Sequence, residues 1–111
     1  MSDGTARPGG ALRIAGWIIE GAGRQLASDT GARVKLTRAE ARILLALASH
    51  PREVVTRDQL MAAVAGRAWQ PFQRGIDVHV SNLRRKLGAD AKRPGPIRTV
   101  RGAGYMLVPR E

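Results

Sequence analysis

The stretch RGIDVHVSNLRRKLG, residues Arg74 to Gly88, decides the fold. Ile76, Val80, Leu83 and Leu87 recur at intervals of 4, 3 and 4, which is the spacing of one face of a helix. The spacing predicts a helix from about Arg74 to Leu87, with Gly88 as its C-cap. At about 100° per residue the apolar stripe turns inward. Arg74, Val78, Ser81, Asn82 and Arg85 then share the opposite face. Asp77 falls in the first turn, where a carboxylate complements the helix dipole.

Upstream lie two shorter helical patterns. Thr37-Arg38-Ala39-Glu40 fits a capping box, followed by Ala41, Leu44, Leu45 and Ala48 at helical spacing with Leu47 beside them. His50-Pro51 stops that helix. Val54-Val55 reads as a very short strand. Thr56-Arg57-Asp58-Gln59 is a second capping box, leading into Leu60, Met61 and Val64, and Gly66 ends the helix. Further upstream the period is that of strands: Leu12 to Ala15, Trp17 to Ile19, Arg24 to Ser28 and Ala32 to Leu36. Asp29-Thr30-Gly31 serves as a hairpin turn. Downstream, Ile97 to Arg101 and Tyr105 to Val108 flank Gly102-Ala103-Gly104 as a β-hairpin. The order is an antiparallel sheet of three or four strands, three helices and a hairpin, an α+β arrangement.

The 111 residues hold one small domain, assigned to residues 11–108. Residues 1–10 (MSDGTARPGG) read as a flexible tail or interdomain linker stub. With no Cys, a disulfide framework, a thiolate-ligated zinc and a cysteine nucleophile are all excluded. His50 and His79 are too few and too far apart to suggest a metal site, and no cofactor is implied. No apolar run approaches the ~20 residues of a membrane span, and no signal sequence opens the chain. The expectation is a cytoplasmic protein with no membrane partner.

Charge is the outstanding feature. Nineteen basic residues face nine acids, a net +10, and sixteen of the nineteen are Arg. Between Gln70 and Tyr105 there are eight basic residues against two acids, so +6 of the +10 sits on the third helix, the hairpin and the loop between them. A polyanion is the implied partner, although codon bias toward Arg also raises such a count. The exposed face of the third helix suits a DNA major groove: Asn82 can pair with adenine, Arg85 with guanine, and the Val78 methyls can meet a thymine methyl. His79, Arg84 and Lys86 lie at the flanks, where phosphates would run. An ordinary solvated face explains the spacing equally well. Ser81 has no base and orienting acid near it in sequence, so hydrolysis has little support. Gly102-Ala103-Gly104 lacks the following helix of a dinucleotide fingerprint. An enzyme is not expected.

Residues 34–108 resemble the winged-helix effector domain of the OmpR/PhoB class of bacterial two-component response regulators. The segments that carry the likeness are VKLTRAEARILLALASHP, EVVTRDQL, RGIDVHVSNLRRKLGAD and IRTVRGAGY. The early Gly16-Trp17 and the Arg101-Gly-Ala-Gly-Tyr105 turn are similar to the VirG-like branch. The resemblance implies a four-stranded N-terminal sheet, a third helix in the major groove and a hairpin wing in the minor groove of double-stranded DNA. It implies base contacts by Val78, Ser81, Asn82 and Arg85. It implies phosphate contacts by Arg74, His79, Arg84 and Thr99, with Arg101 in or near the minor groove. The loop holding Arg67, Trp69, Gln70 and Phe72 matches a segment that can touch RNA polymerase in this family. Two positions depart from the pattern: Ala41 and Ala65 stand where aromatics are common, and Trp69 or Phe72 is expected to refill that space as a structural residue.

The function implied is sequence-specific transcriptional regulation at the end of a phosphorelay. The domain is expected as a monomer in isolation and as a tandem dimer on direct repeats. A sensor kinase would act only through a receiver domain, which these residues do not include. A stand-alone regulator and a protein-interaction adaptor are the alternatives.

Overall fold

A computed structural model of the chain describes residues 12–14, 16–20, 24–28, 30–65, 75–89 and 95–108. Four strands come first: β1 (Leu12–Ile14), β2 (Trp17–Glu20), β3 (Gln25–Ser28) and β4 (Arg33–Lys35). They form an antiparallel meander in the order β1-β2-β3-β4. Leu26 pairs with Ile19 on one side and Val34 on the other. Ile14, Ile19 and Leu26 are buried, which gives the sheet one apolar face against the helices.

Helix α1 (Arg38–Ala48) begins as its sequence predicts. The Thr37 hydroxyl accepts from the Glu40 backbone N–H at 3.1 Å, and the Glu40 carboxylate accepts from the Thr37 N–H at 2.9 Å. The same reciprocal pair joins Thr56 and Gln59 at the start of helix α2 (Arg57–Ala65). Each pair satisfies two backbone donors that a helix start leaves open. Thr37→Ala should therefore cost about 1 kcal/mol, read as a lower midpoint in urea; an unchanged midpoint would mean that Glu40 alone holds the cap.

The buried face of α1 differs from the expected one by a small rotation. Ala41, Ile43, Leu44 and Leu47 are buried, while Leu45 and Ala48 are only partly covered. Three surfaces press on α1, namely α2, helix α3 (Ile76–Lys86) and the hairpin. A helix packed on several sides buries more than one stripe.

The third helix starts at Ile76, two residues later than expected. Its four predicted core residues are all buried, with Val80 and Leu83 fully inaccessible. It ends where Gly88 takes φ +88°. The Gly88 N–H then donates to Arg85 and the Ala89 N–H to Arg84, so two terminal carbonyls of α3 are satisfied. A third, that of Leu87, accepts from the Trp17 indole at 3.3 Å, which ties the first sheet to the end of α3.

Strands β6 (Ile97–Val100) and β7 (Gly104–Leu107) form the C-terminal hairpin, and β5 (Val54–Val55) adds to it in the order β5-β7-β6. One core joins Ile14, Ile19 and Leu26 to the helices and to Ile97, Tyr105 and Leu107. The hairpin is thereby fixed at its base beside α3.

Candidate nucleic-acid interface

Because Ile76, Val80, Leu83 and Leu87 are locked inward, the other face of α3 is presented to solvent. Val78 is 59% exposed, the more exposed of the two large apolar side chains left outside among the described residues. Ser81 and Arg85 are exposed and Asn82 is half-buried. The four base-contact candidates therefore come together on one surface. The Arg85 guanidinium donates to the Asn82 side-chain oxygen at 3.1 Å, an i,i+3 contact that orients both groups. His79 is half-buried, with its ring beside Gly75 at the start of the helix.

The candidates for phosphate contact divide. Arg101 is exposed in the turn between β6 and β7, clear of the core. Arg84 and Thr99 are joined to each other: Arg84 Nη2 donates to the Thr99 hydroxyl at 2.7 Å, and its Nε donates to the Ile97 carbonyl at 3.1 Å. Two of the Arg84 nitrogens thus hold the hairpin. An open groove of about 440 Å³ runs beside them, lined by Ser81, Arg84, Arg85, Ala89, Ile97, Arg98 and Thr99. Arg74, Arg67, Trp69, Gln70 and Phe72 lie outside the described residues, as do residues 1–10, Lys92 and Arg93.

Lys86 does not join the phosphate flank. Its ammonium donates to Glu40 Oε1 at 2.6 Å and to the Lys35 carbonyl at 3.1 Å. Glu40 is only 2% exposed. Burial pushes its pKa up, but the Lys86 ammonium and the Thr37 backbone N–H outweigh it and the net shift is downward.

Asp77 does more than complement the helix dipole. It accepts from the Tyr105 hydroxyl and from Arg57 Nε at 3.0 Å, which joins α3, β7 and α2. The Tyr105 hydroxyl, opposed by some burial, and Arg57 hold the Asp77 carboxyl below its usual pKa. Burial and the neighbouring Asp77 push the Tyr105 hydroxyl up. Arg57 and Arg84 lie over the Tyr105 ring, with Cζ 5.4 and 5.5 Å from its centroid. Neither Arg57 nor Tyr105 stood out in the sequence, where the only hint was a Tyr at the end of the hairpin turn. No group of three or more His, Cys, Asp or Glu suited to a metal occurs among the described residues, and no described helix is long and apolar enough to cross a membrane.

An inward-locked helix with an exposed polar face, beside a basic hairpin, is the arrangement expected of a winged helix. Residues 31–107 match the family described as "Transcriptional regulatory protein, C terminal". The chain belongs to this family. It is a family of DNA-binding transcription regulators of the OmpR/PhoB type, not of enzymes. The chain is 45% identical over 91 residues to regulatory protein VirG of Agrobacterium tumefaciens, covering 82% of this chain and 34% of that protein. It is 45% identical over 92 residues to the transcriptional regulatory protein CpxR of Escherichia coli, covering 82% of this chain and 39% of that one. The chain thus spans little more than a third of the length of these relatives. Among solved structures, the RstA DNA-binding domain of Klebsiella pneumoniae, in complex with the RstA box, superposes with a TM-score of 0.74 at 32% identity. The match covers 90% of this chain and 98% of that one. The DNA-binding domain of E. coli CadC superposes with a TM-score of 0.78 at 28% identity, covering 95% and 96%.

Proposed function

We propose that residues 11–108 form the output domain of a response regulator and read duplex DNA in a sequence-specific manner. Helix α3 enters the major groove and the β6–β7 hairpin reaches the adjacent minor groove. The observation that carries this reading is the surface formed by Val78, Ser81, Asn82 and Arg85, on a helix whose opposite side is fully occupied by the core. These four offer a methyl pair, a hydroxyl, an amide and a guanidinium, the groups that discriminate base edges. The Asn82 oxygen already accepts from Arg85. Its amide N–H groups can donate to an acceptor such as N7 of a purine, and the second lone pair of its oxygen can accept from a base amino group.

Arg101 and the remaining positive charge supply affinity through phosphates and the minor groove. In the cytoplasm, two copies would occupy direct repeats, and the segment with Arg67, Trp69, Gln70 and Phe72 would face RNA polymerase. A kinase would act through a receiver domain elsewhere in a longer regulator. The DNA complex of RstA supports this reading by likeness.

Selection from a library of random duplexes tests it. One enriched motif is expected, and a pool that stays random would overturn sequence-specific reading. Asn82→Ala should cost about 1–3 kcal/mol at the base it reads and leave the salt dependence unchanged. Arg101→Ala should weaken binding to every duplex and lower the salt slope by about one unit.

A further inference from the structure

A wing is useful only if its tip arrives at DNA in register with the recognition helix. Nothing within the β6–β7 hairpin sets that angle. What sets it lies at the hairpin base, where the hairpin touches α3 at two separate places. On β7, Tyr105 is 4% exposed and its hydroxyl donates to Asp77 in the first turn of α3. On β6, Ile97 and Thr99 accept from Arg84 in the last turn of α3. Asp77 and Arg84 are seven residues apart, so they lie on the same side of the helix and about 10 Å apart along it. Strand β5 and the core hold the base of the hairpin in place. The two attachments, spaced along α3, add the restraint that sets its angle to the helix. Arg57 closes the arrangement from α2 by holding Asp77 at 3.0 Å and lying over the Tyr105 ring.

We propose that Asp77, Tyr105, Arg84 and Thr99 are positioning residues that lock the wing at one angle to α3, so that Arg101 engages DNA only while the lock is closed. The lock gives Arg84 and Thr99 a task other than the phosphate contact that their family resemblance implies. It deepens the DNA-reading function proposed above and rests on it for the consequence at Arg101, but not for the lock itself.

Two measurements separate these parts. The first uses no DNA. The chain has no Cys, so Ala62→Cys on α2 and Ala103→Cys in the wing turn, both exposed, give a unique pair of spin labels. Their distance distribution should be narrow in the otherwise unaltered chain. It should broaden when Tyr105→Phe removes the hydroxyl or Arg84→Met removes both bonds of the second attachment. Tyr105→Phe keeps the buried ring, and thermal melting confirms that the fold persists. A distribution that stays narrow in both variants overturns the lock.

The second measurement is a double-mutant cycle on the duplex obtained by selection. Tyr105→Phe should weaken binding about tenfold, the scale of a hydrogen bond to a charged group. In that background the loss caused by Arg101→Ala should shrink from about tenfold to threefold or less, because a misplaced Arg101 has little left to lose. If the two losses multiply in full, the wing tip does not depend on the lock and the link to Arg101 is overturned. If the unaltered chain selects no motif, the DNA reading fails and takes the link to Arg101 with it, and the spin-label distances still decide the lock.

Discussion

Gly104→Ala should unseat the wing. A Cβ built on Gly104 would stand 2.2 Å from the Val55 carbonyl oxygen and 2.8 Å from the Thr56 Cα. Both are backbone atoms of the segment that carries β5, so no side-chain rotation relieves the contact. Gly104 also holds φ +153°. Either the hairpin moves away or β5 does, and the Val55–Tyr105 and Val54–Met106 pairs break with it. A cost of about 3 kcal/mol or more is expected, at the upper end for overpacking. For a domain of this size that is a fall in Tm of about 12 °C or more. Gly102→Ala is the control. Gly102 has φ +77° with nothing within 4 Å of a built Cβ, so only the left-handed backbone is penalised, by roughly 1–2 kcal/mol. Thermal melts of the two variants decide the matter. Equal losses would mean that backbone strain, and not the approach of β5, is what requires glycine at Gly104.

Gly104 and α3 show which parts of this molecule a sequence can reveal. The stripe Ile76, Val80, Leu83 and Leu87, both capping boxes and the Gly88 terminus were legible because each is a local pattern. Helical period and cap geometry span three or four residues, and the fold confirms them with buried side chains and short hydrogen bonds. The shift of the α1 face toward Ile43 was not legible, since it depends on which elements surround α1. Nor were the contacts of the charged groups. Glu40 and Lys86 are 46 residues apart, Arg57 and Asp77 are 20 apart, and Asp77 and Tyr105 are 28 apart. A capping-box Glu looks the same in sequence whether or not the oxygen that caps the helix also meets an ammonium ion, as Glu40 Oε1 does.

This also changes the meaning of the charge count. Of the basic residues that concentrate between Gln70 and Tyr105, Lys86 is balanced by Glu40, which lies outside that stretch, and Arg84 is engaged by the hairpin. Net charge locates a polyanion-facing surface only after such internal pairs are set aside. What remains on the exposed side of α3 and the wing turn is Arg85 and Arg101, interleaved with the uncharged Val78, Ser81 and Asn82. That composition favours reading over indiscriminate adhesion.

The Glu40–Lys86 pair leads to the second large effect. Lys86→Met should destabilise the fold by about 2–4 kcal/mol at neutral pH, because it strands a carboxylate that is 2% exposed. The Thr37 N–H would be its remaining backbone partner. Glu40→Gln should cost less, about 1–2 kcal/mol. Its amide oxygen can still accept from Thr37, and Lys86, whose side chain is 30% exposed, can turn its ammonium to water. The pH dependence gives the sign. In the unaltered chain the Glu40 pKa is lowered from an ordinary 4.5. Its contribution is therefore present above that ordinary value and is lost as pH falls through the lowered one. Without Lys86, burial is no longer outweighed by an ammonium and the Glu40 pKa rises. Stability of Lys86→Met should then recover relative to the unaltered chain as the medium is acidified from neutral and the stranded carboxylate takes up a proton. Urea denaturation of both proteins across that range measures the gap. A gap that stays constant with pH would mean that Glu40 finds enough compensation without Lys86, and that the lysine is a surface charge like its neighbours.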